Sequence, residues 1–170
     1  MWDSTSPNDN VHQARSRDGS VHVRIHRACI EYWFRHRQRR FWQREAGGLL
    51  FAPSVGSETG LVDIEVVTGP YPGDRRTRYS CALDHETCLA DISVQFEKGM
   101  KFVGYWHTHP EPEPSLSGVD RRAFAKNLIA GGLRIDRMLA IVVGNGDSTD
   151  SISVCLVTTD GVIELEAQPS

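Results

Sequence analysis

The sequence lacks the features that would place it in several specialised classes of protein. No run approaches the ~20 consecutive apolar residues that a membrane-spanning helix requires. No charged leader followed by an apolar run opens the chain, so a secretory signal is not expected. The formal net charge of −3 is too small to argue by itself for binding to nucleic acid or membranes. These absences favour a cytoplasmic protein without a membrane partner.

Cysteine is sparse, and its spacing argues against a zinc knuckle built from thiolates. No two of the four cysteines form a Cys-x-x-Cys pair. Each lies in an apolar stretch, as expected for reduced, partly buried thiols in a cytosolic protein. Internal repeats and low-complexity segments are absent too, and a length of 170 residues favours one domain with a real core.

Hydrophobic periodicity predicts an α/β (α+β) fold with a mixed β-sheet flanked by helices. Strands are expected near 21–25, 46–52, 61–68, 78–83, 101–106, 137–143, 151–158 and 161–166, where apolar residues alternate or form short runs. Helices are expected at 28–40, 84–98 and 117–130. The polar segment 1–19 is expected to be a flexible tail, so that residues 20–167 form the domain.

The run from Trp106 to Asp120 carries the most specific chemistry of the chain. His107 and His109 are two positions apart at the end of a predicted strand, and they therefore project to the same side. Two imidazoles supply half of a tetrahedral zinc site, and Asp120 at a helix start can supply the third ligand. Three protein ligands leave one position for water, which is typical of a catalytic zinc ion. Ser117, one helical turn before Asp120, can face that open position.

Metal-assisted hydrolysis also needs a general base, and the candidate is Glu45. This residue immediately precedes the strand that begins at Gly47 and Gly48. Small residues permit close packing beside the strand that carries the histidines. The base would take the proton of the attacking water.

Each of these residues also has a purely structural interpretation. A His-x-His pair on a strand is usually surface or core histidine. Ser117 and Asp120 fit a capping box, with Ser117 as the N-cap and Asp120 at N3. Glu45 can pair with Arg44 or with solvent. The capping interpretation does not exclude a metal site, because a capped helix start is a rigid mount for a ligand.

The joint pattern resembles the JAMM (MPN-plus) metalloproteases. His107-Thr108-His109-Pro110, Ser117 and Asp120 match that family's motif, and the segment from Glu45 to Leu50 is similar to its upstream Glu-x-Gly-Gly segment. The resemblance implies a single mixed β-sheet, partly barrel-like and flanked by helices, of the cytidine-deaminase-like architecture. It further implies one zinc ion held by the two histidines and the aspartate, with Glu45 as the base and Ser117 as the stabiliser of the tetrahedral intermediate.

A finer resemblance points to a bacterial JAMM branch of mobile elements and anti-phage operons. That branch includes the deconjugating protease of CBASS systems, and the resemblance implies a conjugate formed through the C-terminus of a signalling nucleotidyltransferase as substrate. The expected partner is therefore a protein with an extended C-terminal tail, such as a ubiquitin-like conjugate, lying along a sheet edge. Arg75, Arg76 and Arg78 are candidates for lining the substrate groove, and Glu111 for an acidic rim.

Three other functions remain open at this point. A peptidase that processes a sulfur-carrier protein would share the site and differ in its substrate. Inactive MPN scaffolds usually lack the His pair, the Ser or the Asp, all of which this chain has. The segment from Arg35 to Arg44 contains arginines interleaved with Phe41 and Trp42, a composition that can bind single-stranded nucleic acid. A solvated helix face explains that segment better.

Overall fold

The structure of the protein is a computed structural model that describes residues 12–54, 60–130 and 135–169. Its helices are α1 (Arg27–His36), α2 (His85–Glu97) and α3 (Gly118–Ala130). Its strands are β1 (His12–Arg15), β2 (His22–Ile25), β3 (Gly47–Pro53), β4 (Leu61–Ile64), β5 (Val66–Val67), β6 (Arg75–Arg76), β7 (Cys81–Ala82), β8 (Met100–Thr108), β9 (Arg137–Val143), β10 (Ile152–Thr158), β11 (Gly161–Glu164) and β12 (Glu166–Ala167). Within these ranges, no helix has both the length and the apolar character needed to cross a membrane.

The strands confirm the predicted mixed α/β class and divide among three sheets. A six-stranded sheet has the order β11-β10-β9-β8-β3-β5, in which β8 and β9 are parallel and the other pairs antiparallel. A four-stranded sheet has the order β12-β1-β2-β4, and β6 pairs only with β7. The expected single sheet is therefore split, and the described strands close no barrel.

The six-stranded sheet is covered on both faces, which explains its nearly continuous apolar strands. Along β9, Leu139, Ile141 and Val143 pack with α1 and the four-stranded sheet. The alternate residues Ala140 and Val142 pack with α3 on the opposite face. Helix α2 covers the β3 end of that opposite face. The same alternation in the neighbouring strand β8 decides which side of the sheet each of its side chains reaches.

The N-terminal boundary of the domain lies earlier than the sequence predicted. Strand β1, which falls inside the expected tail 1–19, pairs with β2 and β12. Ala14 is buried at the centre of this pairing, with 1% of its surface exposed. Residues 1–11 lie outside the described ranges. The correction arises because β1 is four residues long and only alternate positions are apolar or buried, which is a weak pattern in sequence.

The first helix ends four residues earlier than its pattern indicated, at His36 rather than residue 40. Arg37 adopts an extended backbone, with φ of −58° and ψ of 142°. Its side chain is buried, lies over the Phe34 ring and donates to the carbonyl oxygen of Gly146. Tertiary contacts therefore override the helix propensity of this arginine-rich run. The interpretation of 35–44 as one solvated helix face is wrong.

The segment predicted as one strand near 61–68 contributes to two sheets instead. Its first part, β4, pairs in parallel with β2, whereas β5 pairs antiparallel with β3. The strand expected over 78–83 is reduced to the two residues of β7. Local periodicity indicates a strand in each case, but it carries no information on the partner.

Candidate metal centre and active site

The two histidines stand at the end of the central strand β8, between β3 and β9. His107 is in register with Gly47 on one side and with Val142 on the other. The Nε2 atoms of His107 and His109 are 3.0 Å apart, so the two rings converge. A Cβ atom at Gly47 would lie 3.1 Å from the carbonyl oxygen of Trp106, and one at Gly48 would lie 1.7 Å from that of Thr68. Glycine is therefore required at Gly48, and at Gly47 a larger residue would press against the strand that carries His107.

Helix α3 brings the third predicted ligand to the same point. The Oδ2 atom of Asp120 lies 3.5 Å from the Nε2 atom of His107 and 3.5 Å from that of His109. Ser117 caps this helix: its hydroxyl donates to Oδ2 of Asp120 at 2.6 Å and accepts from the Asp120 backbone N–H at 3.1 Å. The capping interpretation and the ligand interpretation thus coexist, because the cap fixes the carboxylate that faces the rings.

The three ligand atoms have the spacing that a tetrahedral zinc ion requires. Ligands at roughly 2.0–2.2 Å from a tetrahedral centre lie about 3.3–3.6 Å from one another. The observed separations, 3.0 Å between the imidazoles and 3.5 Å from each imidazole to the carboxylate, are close to this value. Two neutral imidazoles and one carboxylate are also the nitrogen and oxygen donors that zinc prefers. The residues present therefore fit the implied metal.

Electrostatics keep the aspartate charged and the inner histidine neutral. Burial opposes ionisation of Asp120, but hydrogen bonds to His107 and His109 outweigh it and hold the pKa of Asp120 well below its ordinary value. Burial lowers the pKa of His107, against the opposing effect of Asp120. A neutral imidazole and an ionised carboxylate are the states in which these groups bind metal.

Glu45 lies at the same site, as predicted, at the end of the segment that enters β3. One of its carboxylate oxygens lies within 4.8 Å of ligand nitrogens of both His107 and His109. Its side chain is buried, with 5% of the residue exposed. Burial raises the pKa of Glu45 to about 7, with the charge of Asp120 adding to the rise and that of His109 opposing it. A carboxyl group with this pKa can both take up and release a proton near neutrality.

Glu111 contacts one of the predicted ligands, and its place on a substrate-facing rim remains a prediction. Its Oε1 atom lies 3.0 Å from Nδ1 of His109, the ring nitrogen remote from Asp120. A carboxylate at Nδ1 favours the tautomer that carries its proton there and leaves Nε2 free for a metal. Sequence reasoning missed this contact, although a glutamate two positions after a ligand histidine is a signal for it.

A buried polar network behind the histidines was also missed. Thr108, on the opposite face of β8 from His107, donates from its hydroxyl to Oε1 of Gln38 at 3.0 Å and accepts from the Ala46 N–H at 2.9 Å. Thr108 and Gln38 are 0% and 1% exposed. The network joins the end of α1 to the residue that follows Glu45. No local sequence signal pairs two side chains that are 70 positions apart.

The arginine-rich hairpin β6–β7 borders the site. The Sγ atom of Cys81 in β7 lies close to Gly47, the register partner of His107. The Glu45 N–H donates to the carbonyl oxygen of Thr77, in the hairpin turn, at 2.7 Å. Arg75, Arg76 and Arg78 are carried by this hairpin. Their role in binding substrate remains a prediction, as do the roles of Glu45 and Ser117.

A mixed α/β domain that gathers a His-x-His pair, an aspartate and a buried glutamate defines a hydrolase of the JAB type. The chain belongs to the family of prokaryotic homologs of the JAB domain, which matches its residues 30–156. The predicted family is thereby confirmed. The matched range contains every residue described above at the site: Glu45, His107, His109, Glu111, Ser117 and Asp120.

Three curated relatives carry the name CD-NTase/cGAS isopeptidase. The protein from Pseudomonas aeruginosa is 30% identical over 131 residues, which are 75% of this chain and 80% of the relative. The one from Vibrio cholerae is 29% identical, over 66% of this chain and 69% of the relative. The one from Escherichia coli is 26% identical, over 76% of this chain and 81% of the relative.

The fold is also similar to a solved structure. The solution structure of a protein from Desulfitobacterium hafniense superposes with a TM-score of 0.63 at 19% sequence identity. It covers 85% of this chain and 89% of the solved chain. At this level of identity the likeness supports the fold, which agrees with the family match.

Proposed function

We propose that this protein is a zinc-dependent isopeptidase that releases a CD-NTase from conjugates formed through its C-terminus, in a CBASS-type defence system. The observation that carries the proposal is the convergence of three ligand atoms 3.0–3.5 Å apart beside a buried glutamate. The shared name of the three relatives supports the substrate class and favours it over a sulfur-carrier protein.

The ligands in this proposal are His107, His109 and Asp120. A zinc ion held there would supply Lewis-acid chemistry, activating water and polarising the scissile carbonyl group. Glu111 would orient the His109 ring. The backbone N–H of Ser117 would hold Asp120, and the Ser117 hydroxyl would turn from Asp120 to donate to the negative charge that develops on the carbonyl oxygen.

Glu45 would carry the proton. It would accept a proton from the attacking water as the new C–O bond forms at the scissile carbonyl carbon. It would then return that proton to the departing amine nitrogen as the C–N bond breaks, so the carboxylate is regenerated. The pKa of about 7 suits both halves of this transfer.

The extended substrate tail would lie along a sheet edge by strand addition. The edge next to the site belongs to the β6–β7 hairpin, since the Sγ atom of Cys81 in that hairpin lies 3.2 Å from the position that a Cβ atom at Gly47 would take. Arg75 and Arg76 form β6, so their charges would be available to acidic side chains of the tail.

The decisive experiment is the substitution Glu45→Gln, which keeps the size of the side chain and removes its proton-accepting charge. Loss of a general base costs roughly 10²–10⁴-fold in rate. We expect the variant to bind about one zinc per chain, as the wild type does by elemental analysis, and to lose cleavage of a CD-NTase conjugate by at least ~100-fold. The matched control is Glu97→Gln, because Glu97 is exposed at the end of α2 and is not one of the residues gathered at the site.

Two results would contradict the proposal. If Glu45→Gln cleaved the CD-NTase conjugate at the wild-type rate, Glu45 would not be the general base. Full cleavage activity in a preparation shown to be free of metal would exclude a zinc-dependent mechanism.

A further inference from the structure

A cluster of exposed aromatic side chains lies beside the site and has no part in the chemistry proposed above. Phe41, Trp42 and Tyr79 are 76%, 61% and 77% exposed. Together with Arg40 and Arg78 they form what we call the arginine–aromatic patch. Aromatic rings gain much free energy when they are buried, so a group of them left in solvent marks an interaction surface.

Contacts within the patch hold its two segments together. The Phe41 and Trp42 rings meet edge to face, with centroids 5.0 Å apart, and the Arg40 guanidinium lies 5.3 Å from the centre of the Trp42 ring. Arg78 lies 5.5 Å from the centre of the Tyr79 ring and donates to the Arg40 carbonyl oxygen at 3.0 Å. The patch is therefore one arranged surface that joins 40–42 to 78–79.

The patch is anchored to buried structure and continuous with the active site. Gln38, buried at 1% exposure, donates from Nε2 to the carbonyl oxygen of Arg78 at 2.7 Å. Three residues after Trp42 comes Glu45, whose N–H donates to Thr77 at 2.7 Å. The same two segments that carry the aromatic rings thus also place the catalytic carboxylate. A protein bound to the patch would adjoin the scissile bond.

The charge of the patch is not neutralised by the protein itself. Within the described part of the chain, neither arginine of the patch, Arg40 or Arg78, forms an ion pair with a carboxylate. The same holds for three arginines near them in sequence but outside the patch, Arg44, Arg75 and Arg76. This positive surface belongs to a chain whose formal net charge is −3. A complementary partner surface must therefore be acidic around an apolar centre.

We propose that the arginine–aromatic patch binds an acidic, partly apolar face of the folded CD-NTase whose tail is cleaved. Carboxylates of that face pair with Arg40 and Arg78, and an apolar side chain lies among Phe41, Trp42 and Tyr79. The patch thereby supplies affinity for the folded CD-NTase, whereas the active site binds and cleaves its C-terminal tail. This inference rests on the proposed function for the identity of the partner.

The geometry favours a protein partner over single-stranded nucleic acid. Bases stack on aromatic rings that are presented along a basic groove. Here Phe41 stands at 85° to Trp42, while Arg40 lies over the Trp42 ring and Arg78 over the Tyr79 ring. Rings occupied in this way are better suited to bury an aliphatic side chain between them than to stack with bases.

The test compares two substrates that share the scissile bond. One is the full-length CD-NTase encoded with this chain, joined through its C-terminus to a reporter protein. The other is a peptide of about the last ten residues of that CD-NTase, joined to a fluorogenic amine. For the double variant Phe41→Ala/Tyr79→Ala we expect KM for the full-length substrate to rise roughly 10- to 100-fold, as for the loss of interface anchor residues. We expect kcat for that substrate and kcat/KM for the peptide to stay unchanged.

The control is Phe96→Ala, which removes a matched aromatic ring, 70% exposed, from α2. An unchanged KM for the full-length substrate in the double variant would overturn the proposal. So would an equal loss on the peptide, because the patch would then shape the site rather than bind the folded protein. Loss of binding to a fluorescent single-stranded oligonucleotide, with KM unchanged, would assign the patch to nucleic acid instead.

Calorimetry on Glu45→Gln separates this proposal from the proposed function. If the wild type cleaves neither substrate but Glu45→Gln binds the CD-NTase through the patch, the patch stands and the isopeptidase proposal fails. The affinity must then weaken with salt and with Arg40→Glu. If neither the KM comparison nor calorimetry detects binding of the CD-NTase through the patch, the proposal that the patch is a binding surface is overturned.

Discussion

At the scale of single residues, the metal site depends on contacts that lie one step behind the ligands. His109 can offer Nε2 to a metal because Glu111 accepts from Nδ1 on the other side of the ring. Asp120 offers its carboxylate because Ser117 holds it through both the backbone N–H, at 2.8 Å, and the hydroxyl. Such contacts fix orientation and protonation state, which the identity of the ligands alone does not.

We expect Glu111→Ala to weaken zinc binding roughly 10- to 100-fold, because the His109 ring loses its orienting carboxylate. Competition with a chromophoric chelator measures the affinity directly. Glu113→Ala is the matched control, since Glu113 lies two residues further along the same loop and is exposed. Glu111→Gln can still accept from Nδ1 and should recover part of the affinity. Identical affinity in Glu111→Ala and the wild type would show that the contact has no orienting role.

At the scale of secondary-structure elements, the site is an intersection of three segments. Strand β8 and the residue that follows it carry the histidines, helix α3 carries the aspartate, and the segment between α1 and β3 carries Glu45. Thr108 and Gln38 tie this last segment to β8 through fully buried hydrogen bonds. Buried polar groups that are satisfied in this way specify one arrangement of the segments, because any other arrangement leaves them without partners.

Thr108→Val tests the hydrogen bonds that connect the Glu45 segment to β8. Valine keeps the shape and the strand propensity of threonine but leaves Oε1 of Gln38 and the N–H of Ala46 without their partners. Each unsatisfied buried group costs about 1–3 kcal/mol, so we expect the free energy of unfolding to fall by about 2–5 kcal/mol in urea titrations. Thr108→Ser, which keeps the hydroxyl, should lose less. An equal loss of unfolding free energy in Thr108→Val and Thr108→Ser would mean that packing, not hydrogen bonding, stabilises the contact between the Glu45 segment and β8.

At the scale of the whole molecule, a metal at this site would connect β8 to α3, the element that follows it in the chain. His107 belongs to the central strand and Asp120 to the helix that packs on it, so binding favours the folded state over the unfolded state. Zinc at 100 times its dissociation constant stabilises by ~2.7 kcal/mol.

For a chain of 170 residues, that stabilisation corresponds to a rise in Tm of roughly 5–10 °C. Scanning calorimetry with zinc and with excess EDTA should show this difference in the wild type. Asp120→Asn should show a much smaller difference in Tm between zinc and EDTA, because this variant lacks the charged ligand. A Tm that does not respond to the chelator would argue against a bound metal in the folded protein.

The fold should also respond to acid through His12 in β1. Burial lowers the pKa of His12, with the charge of Asp150 opposing the shift, and Nε2 has no hydrogen-bond partner among the described residues. A histidine whose pKa is lowered by folding contributes stability that is complete above its unfolded pKa of ~6.5 and is lost as the pH falls below it.

We therefore expect the wild type to lose more stability than His12→Gln between pH 7 and pH 5, as measured by urea unfolding at each pH. His85→Gln, at an exposed position at the start of α2, is the control and should follow the wild type. Parallel pH profiles for His12→Gln and the wild type would show that His12 titrates normally in the folded protein.

Some features of the site follow from local sequence rules. The spacing of His107, His109 and Asp120 predicted the metal site because a strand and a capped helix start have regular geometry. The Gly47-Gly48 pair pointed to Glu45 because only glycine lets β3 pass so close to its neighbours. These are local rules, and the structure brings the residues together as they require.

Other features follow from contacts between distant segments, and no local rule contains them. Helix α1 ends at His36 because the buried side chains of Arg37 and Gln38 find partners more than 30 positions away, at Gly146, Arg78 and Thr108. The division of the strands among three sheets depends likewise on which partner each edge meets. By itself, the sequence determined the set of candidate ligands and the chemistry proposed for them, because residue identity and short-range spacing can be read directly from the chain. Tertiary structure alone decided how Glu45, Glu111 and the arginine–aromatic patch surround that site, because burial and charge depend on what folding brings together.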